Sequence, residues 1–234
     1  RKYASNAVFA QGRFQVTERL GLVAGIRYTD DEKSTTETFQ RISGNDIFGF
    51  FEGGLFYPYT VSIDGEPRSY ESDKVTWTLT AEYTTPSQNL IYARVATGFR
   101  SGGITEDVPP PYDSFEDEEL TSYEIGFKGM INDRLQVLAT AFYYDFQDYQ
   151  QIIQVLDFLP DGRPFDRTVI DNIPDTTIMG LELESTWAVT DNFTLRGMYA
   201  YQDSELGYIV TTENRDPNST FREESFTNPV TGEQ

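Results

Sequence analysis

The sequence predicts an all-β fold, an antiparallel transmembrane β-barrel to which this chain contributes about eight strands as an arc of a larger cylinder. Three observations carry the prediction. Apolar and polar residues alternate with period two over long stretches, with almost no 3.6-residue pattern. Tight polar turns alternate along the chain with long polar excursions. A 15% aromatic share beside only 38% hydrophobic residues does not suit a conventional packed core.

Strands are expected over about 4–15, 20–37, 70–84, 89–101, 117–130, 134–149, 176–189 and 193–208. The first ends at the turn Thr17-Glu18-Arg19 and sets Phe14 beside it. The second places Leu22, Ala24, Ile26 and Tyr28 on one side, with Gly25 and Arg27 on the other. In the third the alternation is cleanest: Val75, Trp77, Leu79, Ala81 and Tyr83 oppose three Thr and Glu82. The fourth sets Ile91, Ala93, Val95 and Phe99 against Tyr92, Arg94, Gly98 and Arg100, and the fifth sets Tyr123, Ile125 and Phe127 against Glu124, Gly126 and Lys128. In the sixth, 134–149, two apolar sets compete for one side, Leu138, Phe142, Tyr144 and Phe146 against Leu135, Val137, Ala139 and Tyr143, so its facing stays open. The seventh opposes Met179, Leu181, Leu183 and Trp187 to Gly180, Glu182, Glu184 and Thr186, and the eighth carries Tyr199 and Tyr201 toward its loop end.

Short turns fall at Thr17-Glu18-Arg19, Pro86-Ser87-Gln88-Asn89, Asn132-Asp133 and Thr190-Asp191-Asn192. The long polar excursions run over about 31–72, 101–118, 148–175 and 204–234. All long loops therefore lie at one end. Strands of roughly 14 residues exceed the 5 to 6 typical of soluble sheets, and the surplus aromatics suit interfacial girdles. An open sheet edge cannot face lipid, so the strands close alone or within a larger barrel; a polar stretch after the last apolar position favours the arc. Polar residues at both ends, with no signal peptide, suggest a segment of a longer protein.

The composition also excludes. The chain has no Cys and no His, hence no disulfide, no thiolate nucleophile, no imidazole relay and no Cys or His metal cage. An enzyme is not expected, and no cofactor is. A net charge of −20 opposes a nucleic-acid partner. Residues 101–119 hold seven acids (Glu106, Asp107, Asp113, Glu116, Asp117, Glu118, Glu119) and no Lys or Arg, but lack the spacing of a calcium loop, so no metal site is assigned.

Several of these segments resemble the barrel of TonB-dependent outer-membrane receptors. They are Ala24-Gly25-Ile26-Arg27-Tyr28-Thr29-Asp30-Asp31-Glu32-Lys33, Tyr92 to Gly103, Glu119 to Gly129, Ala141 to Gln150, and Gly180-Leu181-Glu182-Leu183-Glu184, in the family's order. The resemblance implies a barrel of about 22 strands with a plugged lumen. It implies uptake of siderophore-bound iron, cobalamin or a glycan-like ligand across the outer membrane of a Gram-negative bacterium. The partners it implies are outer-membrane lipid, an extracellular small-molecule or glycan ligand, and TonB, reached through a plug region outside this chain. Passive porin-like conduction, and a place in a glycan-uptake complex with a surface lipoprotein, are the alternatives.

Two groups are candidate ligand contacts. Phe50, Phe51, Tyr57 and Tyr59 belong to an aromatic run in the first long excursion, where exposed rings suit a flat ligand or a partner surface. Tyr92, Arg94 and Arg100 lie on the polar side of the fourth strand, where charges also pair with neighbouring strands and fix register.

Overall fold

The computed structural model describes residues 1–36, 67–105, 108, 112–158 and 164–207. Its strands are β1 (Lys2–Gln15), β2 (Leu20–Thr36), β3 (Pro67–Thr84), β4 (Leu90–Arg100), β5 (Gly103–Ile104), β6 (Ser114–Phe115), β7 (Glu118–Ile131), β8 (Leu135–Gln147), β9 (Tyr149–Phe158), β10 (Pro164–Ile173), β11 (Thr176–Thr190) and β12 (Phe193–Glu205). Among the described residues there is no helix. Eight strands form one antiparallel sheet in the order β1-β2-β3-β4-β7-β8-β11-β12, while β9 pairs with β10 and β5 with β6 as separate small hairpins. The large sheet is an open arc, with β1 and β12 as its edges.

Residues directly opposite one another in adjacent strands share a face, so the register reads the two surfaces off the sequence. One row runs Phe14, Leu22, Ala81, Ala93, Ile125, Ala141, Leu181, Tyr201 across all eight strands, and every member is apolar or aromatic. The next row, one residue along, runs Arg13, Val23, Thr80, Arg94, Glu124, Phe142, Gly180, Gln202. A single layer with one apolar and one mixed polar face results. Among the described residues nothing covers the apolar face: Val75, Trp77, Leu79 and Ile125 remain 56%, 43%, 48% and 57% exposed.

The register also settles β8. Leu135, Val137, Ala139, Ala141 and Tyr143 join the apolar face, whereas Leu138, Phe142, Tyr144 and Phe146 point to the polar face, where the Phe142 and Tyr144 rings stack at 4.8 Å. Periodicity alone could not decide this, because both sets are apolar; only the neighbours' facing breaks the tie.

The tight turns follow from their residues. Asn132 and Asp133 both take positive φ, 53° and 55°, the conformation of a two-residue hairpin turn that matches sheet twist. Thr17 Oγ1 accepts from the Arg19 and Leu20 amides at 3.2 and 3.0 Å, and Thr85 Oγ1 accepts from the Asn89 amide at 3.0 Å. At the fourth turn a register shift between Ala188 and Thr190 absorbs an extra residue.

The excursion over 148–175 differs from the expectation of a polar loop. It contains an antiparallel pair of ten-residue strands whose Ile153, Val155 and Val169 pack with Val108 and Tyr112. Its alternation is short and lies between acidic segments, so polarity masked it. The buried residues gather here, at the loop end, and not between two layers of the large sheet.

Candidate functional site

Two regions of the polar face concentrate chemistry. On the wall, Tyr92 lies opposite Gly126 and crosses it, so that its hydroxyl donates to Glu124 Oε1 at 2.6 Å and sits 3.4 Å from Thr140 Oγ1 two strands away. A Cβ on Gly126 would come 2.4 Å from the Tyr92 ring, so only glycine permits this flat placement. Arg94 stands opposite Glu124 on one side and Thr80 on the other, and its Nε reaches Thr78 Oγ1 at 3.4 Å. Arg13 of β1 reaches over β2 to pair with Glu82 of β3. The wall is thus laced across strands.

At the loop end the hub is Asp117. Its carboxylate accepts from Ser72 Oγ at 2.6 Å, from the Gly102 amide at 2.7 Å and from the Tyr70 hydroxyl at 3.1 Å, and Lys74 Nζ lies 3.4 Å away. Burial works to raise this carboxyl, but the Ser72, Gly102 and Tyr70 hydrogen bonds and the Lys74 charge outweigh it and hold Asp117 below the usual carboxylate range. Burial first, and then the Asp117 and Glu116 carboxylates that accept from it, push the Tyr70 phenol well above its ordinary value. Lys33 donates to the carbonyls of Ser101 and Gly102. Arg68 pairs with Asp113 at 2.7 Å and also donates to its carbonyl. Residues 101–102 and 113–117 are therefore fastened to β2 and β3.

A second fastening joins that segment to the β9–β10 hairpin. Asn172 uses its whole amide on Glu116, accepting from the Glu116 N–H at 2.7 Å and donating to its carbonyl at 3.0 Å, and donates also to the Asp148 carbonyl at 2.7 Å. Gln150, its partner across the hairpin, donates to the carbonyls of Arg100 and Glu116 at 3.1 and 3.0 Å, while its own amide donates to Glu118 Oε2 at 2.8 Å. Glu116 and Glu118 are thus tied to the base of the hairpin through Gln150 and Asn172.

Of the candidates, Tyr92 and Arg94 share the polar wall, and Arg100 lies on the same face beneath the fastened loops, opposite Glu118. Phe50, Phe51, Tyr57 and Tyr59 lie outside the described residues. Asp117, Lys33, Gln150 and Asn172 gave no signal of their own in the sequence, because their partners stand 15 to 69 positions away and an acid-rich loop looks merely solvated. Among the described residues no group of three or more carboxylates forms a metal site.

The model of the family described as TonB-dependent receptor-like β-barrel matches residues 1–229. No curated relative matches by sequence. Among solved structures the chain is similar to the ferric yersiniabactin uptake receptor FyuA from Yersinia pestis, at 20% identity and a TM-score of 0.62 over 87% of this chain and 27% of that one. It is similar to the copper transporter OprC at 18% identity and 0.60, over 86% of this chain and 29% of that one. It is similar also to the siderophore receptor PiuA from Acinetobacter baumannii at 20% identity and 0.60, over 90% of this chain and 27% of that one. The chain thus spans little more than a quarter of the length of these proteins.

Proposed function

The chain belongs to the TonB-dependent receptor-like β-barrel family, and from that membership we propose that it is the central wall of an outer-membrane receptor that takes up a scarce nutrient in a Gram-negative bacterium. The nutrient is of the siderophore-iron, cobalamin or glycan-like kind, and uptake draws on the inner-membrane proton gradient through TonB. The observation that carries this reading is the unbroken apolar row across eight strands, within the residues that match the family. Lipid covers such a row at no cost, whereas water does not.

One neighbour is named a ferric yersiniabactin uptake receptor, one a siderophore receptor and one a copper transporter, which supports a metal or metal-chelate cargo first. The ligand contacts belonging to this proposal are Phe50, Phe51, Tyr57 and Tyr59 from the loop, with Tyr92, Arg94 and Arg100 from the wall. The test uses the full-length protein in its own outer membrane, with radiolabelled ferric siderophore, cobalamin and maltooligosaccharide offered in turn. Uptake of one of them that stops when an uncoupler collapses the proton gradient is expected. Influx indifferent to the uncoupler would replace the receptor with a passive porin.

A further inference from the structure

Two cavities follow one another along β3, β4, β7 and β8 on the apolar face of the sheet. The first, of about 520 Å³, is a groove floored by Ala81, Ala93 and Ala141 and walled by Leu79, Val95 and Tyr123. The second, of about 240 Å³, begins at the next row toward the loop end. There the side chains on this face turn polar, as Val95, Tyr123 and Tyr143 give way to Thr97, Thr121 and Asp145. Trp77 and Phe99 supply aromatic surface to the same cavity.

The second cavity also lies where the wall splits. Backbone pairing between β3 and β4 stops at Thr78 and Ala96, although β3 continues with β2 to Pro67 and β4 with β7 to Arg100. The Trp77 amide turns instead to Thr97 Oγ1 at 2.9 Å. Backbone edges released in this way are tolerated in a membrane wall only beside a polar occupant. Lys74, at the rim, is taken up by Glu119 and Asp117. The Asp145 carboxylate has no hydrogen bond or ion pair among the described residues. The slot thus offers one uncompensated negative charge together with an indole and a phenyl ring, surroundings that attract an ammonium group.

We propose that the two cavities form one binding site for a phospholipid with an ammonium headgroup of the ethanolamine type. An acyl chain lies in the alanine-floored groove, the ammonium meets Asp145, and the phosphate faces the split edges of β3 and β4. A phosphoglycerol head would bring no cation to Asp145. The site rests on the receptor reading for the sheet's place in a membrane, and adds one selected lipid to a wall that otherwise needs only hydrocarbon.

The test is native mass spectrometry of the full-length protein in detergent, offered phosphatidylethanolamine and phosphatidylglycerol with identical acyl chains. Retention of one phosphatidylethanolamine in preference to phosphatidylglycerol is expected. Asp145→Asn should lower that preference about tenfold, and Ala93→Leu, which fills the groove, should weaken retention of both lipids. Asp30→Asn, on the same face of β2 but outside both cavities, should change neither. Retention of the folded band on unheated gels establishes that each variant is assembled. Equal retention of the two lipids by the unaltered protein overturns the proposal, as does an undiminished preference in Asp145→Asn. Gradient-dependent uptake is measured separately in the same strains: if it persists while the two lipids are retained equally, the lipid site falls and the receptor stands.

Discussion

Three donors and a cation converge on one carboxylate at Asp117, and the direction of its shift fixes how the loop end responds to acid. Its folded pKa is depressed, so the stabilisation is complete above the ordinary aspartate value of about 3.9 and is lost as pH falls through the lower folded value. Protection of residues 101–117 from protease should therefore hold from about pH 7 down to about pH 4 and decline only below it. Asp117→Ala should remove it at every pH, at a cost of about 2 kcal/mol in local stability, read by hydrogen exchange. Gly126 makes a second prediction at this scale. A methyl there must displace the Tyr92 ring and break its bond to Glu124, so Gly126→Ala should lower unfolding stability by about 1–3 kcal/mol. Tyr92→Ala should recover the steric part of that loss in the double variant, and urea denaturation in detergent gives the coupling.

The elements of this protein divide by how far their partners lie along the chain. Strands whose alternation contrasts apolar with polar residues, such as β3 with Val75, Trp77 and Leu79 against Thr76, Thr78 and Thr80, could be read from sequence, as could the antiparallel class they form. β8 could not be faced, because Leu138, Phe142 and Tyr144 are as apolar as the residues behind them; it needed Glu124 and Gly126 of β7 opposite Phe142 and Thr140. The β9–β10 hairpin looks like a loop in the sequence because Asp148, Asp157, Asp161, Asp166 and Asp171 dilute its short Ile and Val pattern. Nothing in the sequence joins Asn172 to Glu116, 56 residues away. That joint yields a prediction about elements: Asn172→Ala deletes the paired contact to Glu116 and should let the 101–117 segment and the hairpin exchange amide hydrogen independently. Protection at Glu116 and Gln150 should fall about tenfold while β7 and β11 keep theirs, as exchange of the full-length protein would report. Loss of protection throughout the sheet would mean instead that Asn172 supports the fold as a whole.

At the scale of the whole molecule, the two-faced sheet makes a demand that no single strand does. Its edges β1 and β12 carry unpaired backbone groups along 14 and 13 residues, and in hydrocarbon such edges are tolerable only when further strands complete the cylinder. Completion then leaves the apolar row outside and the polar row inside, at right angles to every strand. Because the chain contains no cysteine, that sidedness is open to a clean measurement. In the full-length protein, with any cysteine outside this chain replaced by serine, single cysteines replacing Leu79 and Thr80, neighbours on opposite faces of β3, should label in opposite ways. Leu79→Cys should resist a charged, water-soluble maleimide in intact membranes yet react with a lipid-soluble one, and Thr80→Cys should do the reverse once the lumen is open to water. An arginine at Leu79 should cost about 2–4 kcal/mol of stability if it lies near the bilayer midplane, measured as a drop in folding into vesicles, because the charge must leave water. Equal reaction of both cysteines with the charged reagent would place the apolar row in water and remove the membrane from the account.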